Sequence, residues 1–331
     1  MLVLDCENVN DALKRGIELL LQNHTIETSR YGPVWVAPMP VTTVYRSPLQ
    51  RVLLNQTRHA NPFFHLMEAI WHMAGHNDLA WVRQFNERMA TFSDNGHNLW
   101  GAYGYRWRNQ FEYDQLLYVA KELQQQANSR RAVLSMWDPN IDLEKAIDHG
   151  KDIPCNTHIY FQLGSSGLGM TVCNRSNDIL WGAYGINIVT FTVLQEWLAA
   201  FLEVPVGGYW QVSNNYHLYP DIFHRENLHA ILYDNTPAYP PQHYPLVAYS
   251  AETWLMEAER FLGNPGEITG YSEPWWPDVA VPMYRTWQAR RQSDEAAAWA
   301  ESIMAKDWRL AAQQWLAQAK ARKEAARGKE N

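Results

Sequence analysis

The residue pattern predicts an α+β fold. Helical and extended segments follow one another in no regular βαβ order, and the one strand pairing legible locally is an antiparallel hairpin. The chain has 331 residues, 47% of them apolar, enough for one large core or two smaller ones.

Residues 11–22 (DALKRGIELLLQ) read as a helix, and 33–54 as strands interrupted by Pro38, Pro40 and Pro48. Asn61-Pro62 then starts a helix, with Asn as cap and Pro at the first helical position. Phe63, Phe64, Met67, Ile70, Trp71 and Ala74 recur at helical spacing, so one face of it is buried. Glu68 lies at the edge of that face, either as a solvated rim residue or as an acid kept dry for function.

Residues 114–126 suit another helix and 131–137 (RAVLSMW) a strand. Two extended runs, 156–163 and 168–174, flank Gly164-Ser165-Ser166-Gly167 and form a hairpin. A strongly buried helix follows over 186–203, carrying Ile188, Phe191, Leu194, Trp197, Leu198, Phe201 and Leu202. From about 287 the composition changes. Residues 294–328 are rich in Ala, Gln, Lys and Glu, with Trp299, Ile303, Trp308 and Trp315 at helical intervals. We expect a main domain over 1–286 and a helical extension over 287–331 that docks on the body or on a partner.

A net charge of −7 argues against a general nucleic-acid or membrane-surface binder, since phosphate-backbone binding needs local positive excess. Any anionic ligand must be held by a few grouped arginines. Cys6, Cys155 and Cys173 are too few for a disulfide framework. The opening MLVLDCENVNDALKRG lacks a basic segment followed by an apolar run, and no stretch nears the ~18 apolar residues of a membrane span. The expected compartment is the cytoplasm, with thiols reduced. Zinc-site and phosphate-loop spacings are absent, so neither a metal nor a nucleotide cofactor of those classes is expected.

Cys155 stands out by geometry. With the hairpin centred between Ser165 and Ser166, Cys155 faces Ser176 and Asn156 faces Arg175; a bulge would shift this by one residue. The thiol is thus expected near a guanidinium, which favours the thiolate over a free-cysteine pKa of about 8.5. Pro154 breaks regular pairing and leaves the side chain accessible. A packed strand-end cysteine is the alternative. Ser29-Arg30, Ser129-Arg130-Arg131 and Arg175-Ser176 are compact Arg/Ser sites suited to phosphate. His158 points to the opposite face from Cys155, against a thiol hydrolase.

At this point residues 8–225 resemble the thymidylate synthase superfamily. The matching motifs are Ser29-Arg30-Tyr31-Gly32, Glu68-x-x-Trp71-x-x-x-Gly75, Gly101-x-Tyr103-Gly104-x-x-Trp107-Arg108, Ser129-Arg130-Arg131, Ile153-Pro154-Cys155, Asn174-Arg175-Ser176-Asn177-Asp178 and His217-Leu218-Tyr219. In detail the chain is most similar to the phage-type deoxypyrimidine monophosphate hydroxymethylases. The resemblance implies a three-layer α+β homodimer with mixed or antiparallel sheets around buried central helices, and one cleft shared by nucleotide and folate. It makes Cys155 the nucleophile and has Arg30, Arg175 and Ser176 bind phosphate, joined by Arg130 and Arg131 from the second subunit. His217 and Tyr219 hold the sugar, Glu68 orders water, Tyr103 assists proton removal at C5, and Asp178 and Trp107 contact the folate.

The implied chemistry is thiolate addition to C6, attack of C5 on the methylene of 5,10-methylenetetrahydrofolate, and loss of tetrahydrofolate to leave an exocyclic methylene. Hydride then gives a methyl group; water gives a hydroxymethyl group. The departures favour water. Met89-Ala90-Thr91-Phe92 replaces a segment where the synthases carry tryptophan, Asn156 and Asn174 replace His and Gln, and a charged end replaces a short apolar tail. Trp181 to Asn187 is one residue longer than the synthase pattern, which puts Asn187 beside the base-reading position. Asn complements uracil, so dUMP is expected over dCMP. Thymidylate synthase proper is a second reading. A non-catalytic nucleotide- or nucleic-acid-binding protein is a third, disfavoured by the charge and the intact nucleophile; neither a membrane nor a direct nucleic-acid partner is expected.

Overall fold

Leu2, Leu4 and Cys6 turn inward while Val3 and Asp5 face out, so the chain begins as a strand, β1 (Leu2–Cys6). This is the first element of the computed structural model, which describes residues 1–29, 31–222 and 225–327. Asn8 caps the helix that follows, α1 (Val9–Gln22), by accepting from the amides of Asn10 and Asp11. Strands β2 (Thr25–Ser29), β3 (Gly32–Val36) and β4 (Val41–Tyr45) come next. Neither β1 nor β2 was expected, because each spans only five residues and β2 is exposed along nearly its whole length.

Asn61 caps α2 (Pro62–Met73) through the Phe64 amide, as the Asn-Pro pair predicts. The expectation of one buried face is too modest: every residue of α2 is buried. The chain continues through α3 (Leu79–Arg83), α4 (Tyr103–Arg108), α5 (Gln115–Gln125), β5 (Val133–Ser135) and α6 (Pro139–Ile147). Then come the hairpin strands β6 (Asn156–Gly164) and β7 (Gly167–Asn174), short β8 (Asn177–Asp178), α7 (Asn187–Phe201), β9 (Val206–Ser213) and β10 (Tyr216–Leu218). Helices α8 (Arg225–Leu232), α9 (Ala251–Gly263), α10 (Val281–Ala289), α11 (Ser293–Glu301) and α12 (Lys306–Arg327) complete the chain. The helix α2 is covered by α7 on one side and by α9, α10 and α12 elsewhere, which explains its complete burial.

Two mixed sheets result, the larger ordered β1-β4-β9-β7-β6-β5 and the smaller β2-β3-β10-β8. The architecture is α+β. The β6/β7 hairpin keeps the expected register from Gly164↔Gly167 to His158↔Cys173, then a bulge brings Asn156 opposite Asn174. Cys155 therefore lies beside Arg175 rather than Ser176, and its carbonyl accepts from the Arg175 amide at 2.9 Å.

The terminal helices dock on the body. Ile303, Trp308, Ala311 and Ala312 are buried in the common core, and the Trp315 ring packs against His59, Phe63 and Trp287 at centroid distances of 6.0, 5.4 and 5.5 Å. The boundary expected at 286 falls within α10. Among the described residues, no helix is long and apolar enough to cross a membrane.

Candidate active site

Two glycines set the spacing of the site. A Cβ at Gly104 would lie 1.8 Å from the His72 carbonyl oxygen, so only glycine lets α4 press against α2. The Gly104 amide donates to His72 Nδ1 at 3.1 Å, and burial drives the His72 pKa down to about 3, leaving a neutral ring as acceptor. The Tyr103 ring is sandwiched between that imidazole at 5.2 Å and Phe191 of α7 at 5.6 Å. Gly101 sits against Asp152: its amide donates to Asp152 Oδ2 at 2.7 Å, and a Cβ there would meet Oδ1 at 2.8 Å.

Helix α4 is anchored by a fully buried ion pair. Arg106 donates to both oxygens of Asp142 at 2.7 and 2.8 Å and to the Met136 carbonyl at 2.7 Å. Breaking such a pair leaves an uncompensated buried charge. Arg106→Met is expected to destabilise the fold by roughly 3–5 kcal/mol, read from a shift of the urea midpoint.

Cys155, half-buried, follows a turn clamped by Arg175: Nε donates to the Pro154 carbonyl at 3.0 Å and Nη2 to that of Ile153 at 2.8 Å. The guanidinium also lies 5.8 Å from the Trp137 ring centroid. The phenol of Tyr103 stands in the combined field of Cys155, Asp152, Glu68 and Arg175, and burial, first among its causes, raises its pKa well above the usual range. The raised value keeps it a neutral hydroxyl. The arrangement gathers Glu68, Tyr103, Cys155 and Arg175 in one place, and adds Asp152.

Glu68 is only 7% exposed. Burial, reinforced by the Asp152 charge, pushes its carboxyl up to about 8. Unfolded glutamate titrates near about 4.3. Between that value and about 8 the folded chain holds a proton that the unfolded chain has released, so stability falls as pH rises across this window and levels off above it. Glu68→Gln is expected to flatten that fall, by about 1 kcal/mol per pH unit at its steepest, in unfolding curves taken across the same window.

The smaller sheet supplies a second wall. In β10, His217 pairs with Asp178 of β8 on one side and Val36 of β3 on the other. The His217 and Tyr219 rings meet edge to face at 5.3 Å, and Tyr31, from the β2–β3 turn, meets Tyr219 at 6.1 Å. Arg30 lies outside the described residues. Burial pushes Asp178 up and His217 down, toward an uncharged pair. Both capping bonds of Asp178, from the Leu180 and Trp181 amides at 2.8 and 2.6 Å, go to Oδ1. Beside it is the half-buried Trp181 indole, with the Arg88 guanidinium 4.9 Å from its ring centroid. A flat ring bearing N–H donors fits the pairing of Asp178 Oδ2 with the Trp181 face.

The segment before Asn187, Ile179–Ile186, is π-helical, a form that takes up about one more residue per turn than an α-helix. Asn187 is 4% exposed and belongs to a polar relay. Gln211 Nε2 donates to the Ala183 carbonyl at 3.4 Å; Asn177 Nδ2 donates to Gln211 Oε1 at 3.1 Å; Asn187 Nδ2 donates to Asn177 Oδ1 at 3.1 Å. Because a backbone carbonyl can only accept, the orientation of all three amides follows from one end.

One expectation, the folate contact of Trp107, is at odds with the structure. Trp107 is completely buried, its indole N–H on Met136 Sδ at 3.0 Å, so it supports α4 from behind and offers no surface to a folate. Arg130 and Arg131 are exposed, and Arg131 pairs with Glu122 of its own chain at 2.9 Å. Both precede β5, whose pairing with β6 runs Val133↔Tyr160 to Ser135↔His158, so they lie at the strand end away from Cys155, roughly 23 Å along the β6 direction at about 3.3 Å per residue. Ser176 is half-buried next to Arg175. Sequence reading missed Asp152, Asn177, Gln211, Trp181 and also Arg58, which donates through Nε and Nη2 to the Leu180 carbonyl at 3.0 and 2.5 Å beside Asp178. Asn177 and Trp181 lie in segments already singled out but without a role, Asp152 is a lone acid three residues before the cysteine, and Arg58 and Gln211 carry no local signal.

The family model of thymidylate synthase matches residues 39–247. The chain is 41% identical over 342 residues to a deoxyuridylate hydroxymethyltransferase of Pseudomonas phage M6, covering 98% of this chain and 96% of that one. It is 34% identical over 192 residues to a protein of the same name from Bacillus phage SP01, covering 55% and 50%. A putative thymidylate synthase of Methanocaldococcus jannaschii is 36% identical over 108 residues, covering 33% and 48%. With the family model spanning Glu68, Tyr103, Cys155, Arg175, Asn187 and His217, and one relative aligned along nearly its whole length, this chain belongs to the thymidylate synthase family.

Proposed function

We propose that this protein converts dUMP to 5-hydroxymethyl-dUMP, using 5,10-methylenetetrahydrofolate and water. The observation that carries this reading is the meeting of Cys155, the Tyr103 hydroxyl and the buried Glu68 acid at a turn clamped by Arg175. The names of the phage relatives point the same way.

In this reading the Cys155 thiolate adds to C6 of the uracil, and the electron pair of the C5–C6 bond moves toward C5 and the C4 oxygen. Bound methylenetetrahydrofolate supplies a one-carbon unit at the oxidation level of formaldehyde. Asp178 Oδ2 and the Trp181 face would hold its ring system, while the neutral Tyr103 hydroxyl assists removal of the C5 proton. Arg175 and Ser176 bind the phosphate with Arg30, and Arg130 and Arg131 come from a second copy of the chain in a homodimer. His217 and Tyr219 hold the sugar.

The relay ending at Asn187 supports uracil over cytosine. Its amide nitrogen is committed to Asn177, so Oδ1 is presented as an acceptor, matching the N3–H of uracil, whereas N3 of cytosine is itself an acceptor. Product separation by mass, with dUMP and dCMP run side by side, tests the proposal. The expected product is 5-hydroxymethyl-dUMP with tetrahydrofolate. Exclusive dTMP with dihydrofolate, or turnover of dCMP alone, would reject it.

A further inference from the structure

Glu68 is nine-tenths buried, and its carboxyl makes no side-chain hydrogen bond among the described residues; burial first, then the Asp152 charge, pushes its titration up. A buried polar group in that condition is built for a guest, and a site lined by polar partners admits water. Asp152 is the second carboxyl at this spot. It is half-exposed, three residues before Cys155, on the turn whose next two carbonyls Arg175 clamps. The Gly101 amide holds its Oδ2 at 2.7 Å, which fixes the carboxylate against the segment that leads into α4. Tyr103 sits in the electrostatic field of both carboxyls and of Cys155.

We infer that Asp152 is the general base of the hydration step, holding the attacking water together with the Glu68 carboxyl. This rests on the hydroxymethylation reading above and assigns the group that takes the proton. The water oxygen bonds to the methylene carbon at C5 of the Cys155-linked nucleotide, and the water proton passes to Asp152. The electron pair of the carbon–carbon double bond moves onto the C4 oxygen. Its return re-forms C5–C6 and expels the Cys155 thiolate. Glu68, still protonated, donates to the C4 oxygen or to the water and leaves Asp152 as the acceptor. Two carboxyls with different protonation states are what such a step needs.

The reverse of this step can be followed without folate. Given 5-hydroxymethyl-dUMP in heavy-oxygen water, the enzyme adds Cys155 to C6, releases the hydroxyl as water and re-adds solvent, so the hydroxyl oxygen exchanges. Asp152→Asn keeps an acceptor for the Gly101 amide but loses the basicity. It is expected to slow exchange by roughly 10²-fold or more, while release of tritium from C5-labelled dUMP in a single turnover, with enzyme in excess and methylenetetrahydrofolate present, changes by less than about threefold, on the same scale. Asp152→Glu is expected to recover part of the exchange. In the nucleotide-free protein, the carboxyl-carbon NMR titration of Glu68 is expected to move down from about 8 in the Asn variant, because the Asp152 charge is gone.

Exchange at the wild-type rate in Asp152→Asn would overturn the assignment, and so would a parallel loss of exchange and tritium release that Glu does not relieve. Failure of the underlying reading looks different: the wild-type enzyme itself would exchange nothing and form dTMP.

Discussion

Cys155→Ser is expected to lose turnover by about 10⁴-fold or more, with dUMP affinity within a few-fold of the parent and the unfolding midpoint unchanged. Serine keeps the volume and the turn, whose carbonyls remain clamped by Arg175. What it lacks is a side chain ionisable near neutral pH, so it cannot open addition to C6. Cys6 is a poor stand-in, since burial pushes its thiol up to about 12. Single-turnover product formation together with equilibrium dialysis of dUMP checks both halves. Retained turnover in the serine variant would remove Cys155 from the chemistry.

Asn187→Asp is expected to reverse base preference. The loss in kcat/KM for dUMP should be about 10²–10³-fold, with a gain for dCMP, because a carboxylate facing the N3 edge suits a ring that brings an amino donor. The relay adds a second expectation. Asn177→Ala releases the Asn187 amide to rotate, so dUMP-over-dCMP discrimination should fall by about tenfold while dUMP turnover falls less. Competition between the two nucleotides, with both products resolved by mass, reads these ratios directly. An unchanged ratio in Asn187→Asp would place the base reader elsewhere.

How much of this was legible in advance depended on whether a feature repeats along the chain. The α2, α5 and α7 helices and the β6/β7 hairpin were legible because apolar periodicity and turn residues are local signals. The bulge at Asn156 was foreseen only as a possibility, since one unpaired residue leaves no mark in composition. A similar gap hid β1, whose partner β4 lies some forty residues away in sequence. The π-helical form of Ile179–Ile186, just before Asn187, leaves no mark in apolar periodicity and was not foreseen.

Site residues divided the same way. Glu68 stood at the edge of a readable helical face, and its burial follows from α2 being covered on every side. Trp107 was misplaced because a motif tryptophan reads alike whether it lines a ligand or fills a core; only its zero exposure decides. Asp152, Asn177 and Gln211 act through partners far apart in sequence, from Gly101 to Ala183, and folding alone brings them together.

The most direct test of the whole scheme is to trap the enzyme on 5-fluoro-dUMP with methylenetetrahydrofolate. Fluorine at C5 cannot leave as a proton does, so the sulfur–C6 bond should persist through denaturation and digestion. The scheme requires the nucleotide mass on the peptide containing Cys155. Its appearance on a peptide of Cys6 or Cys173, or on none of the three, would contradict it.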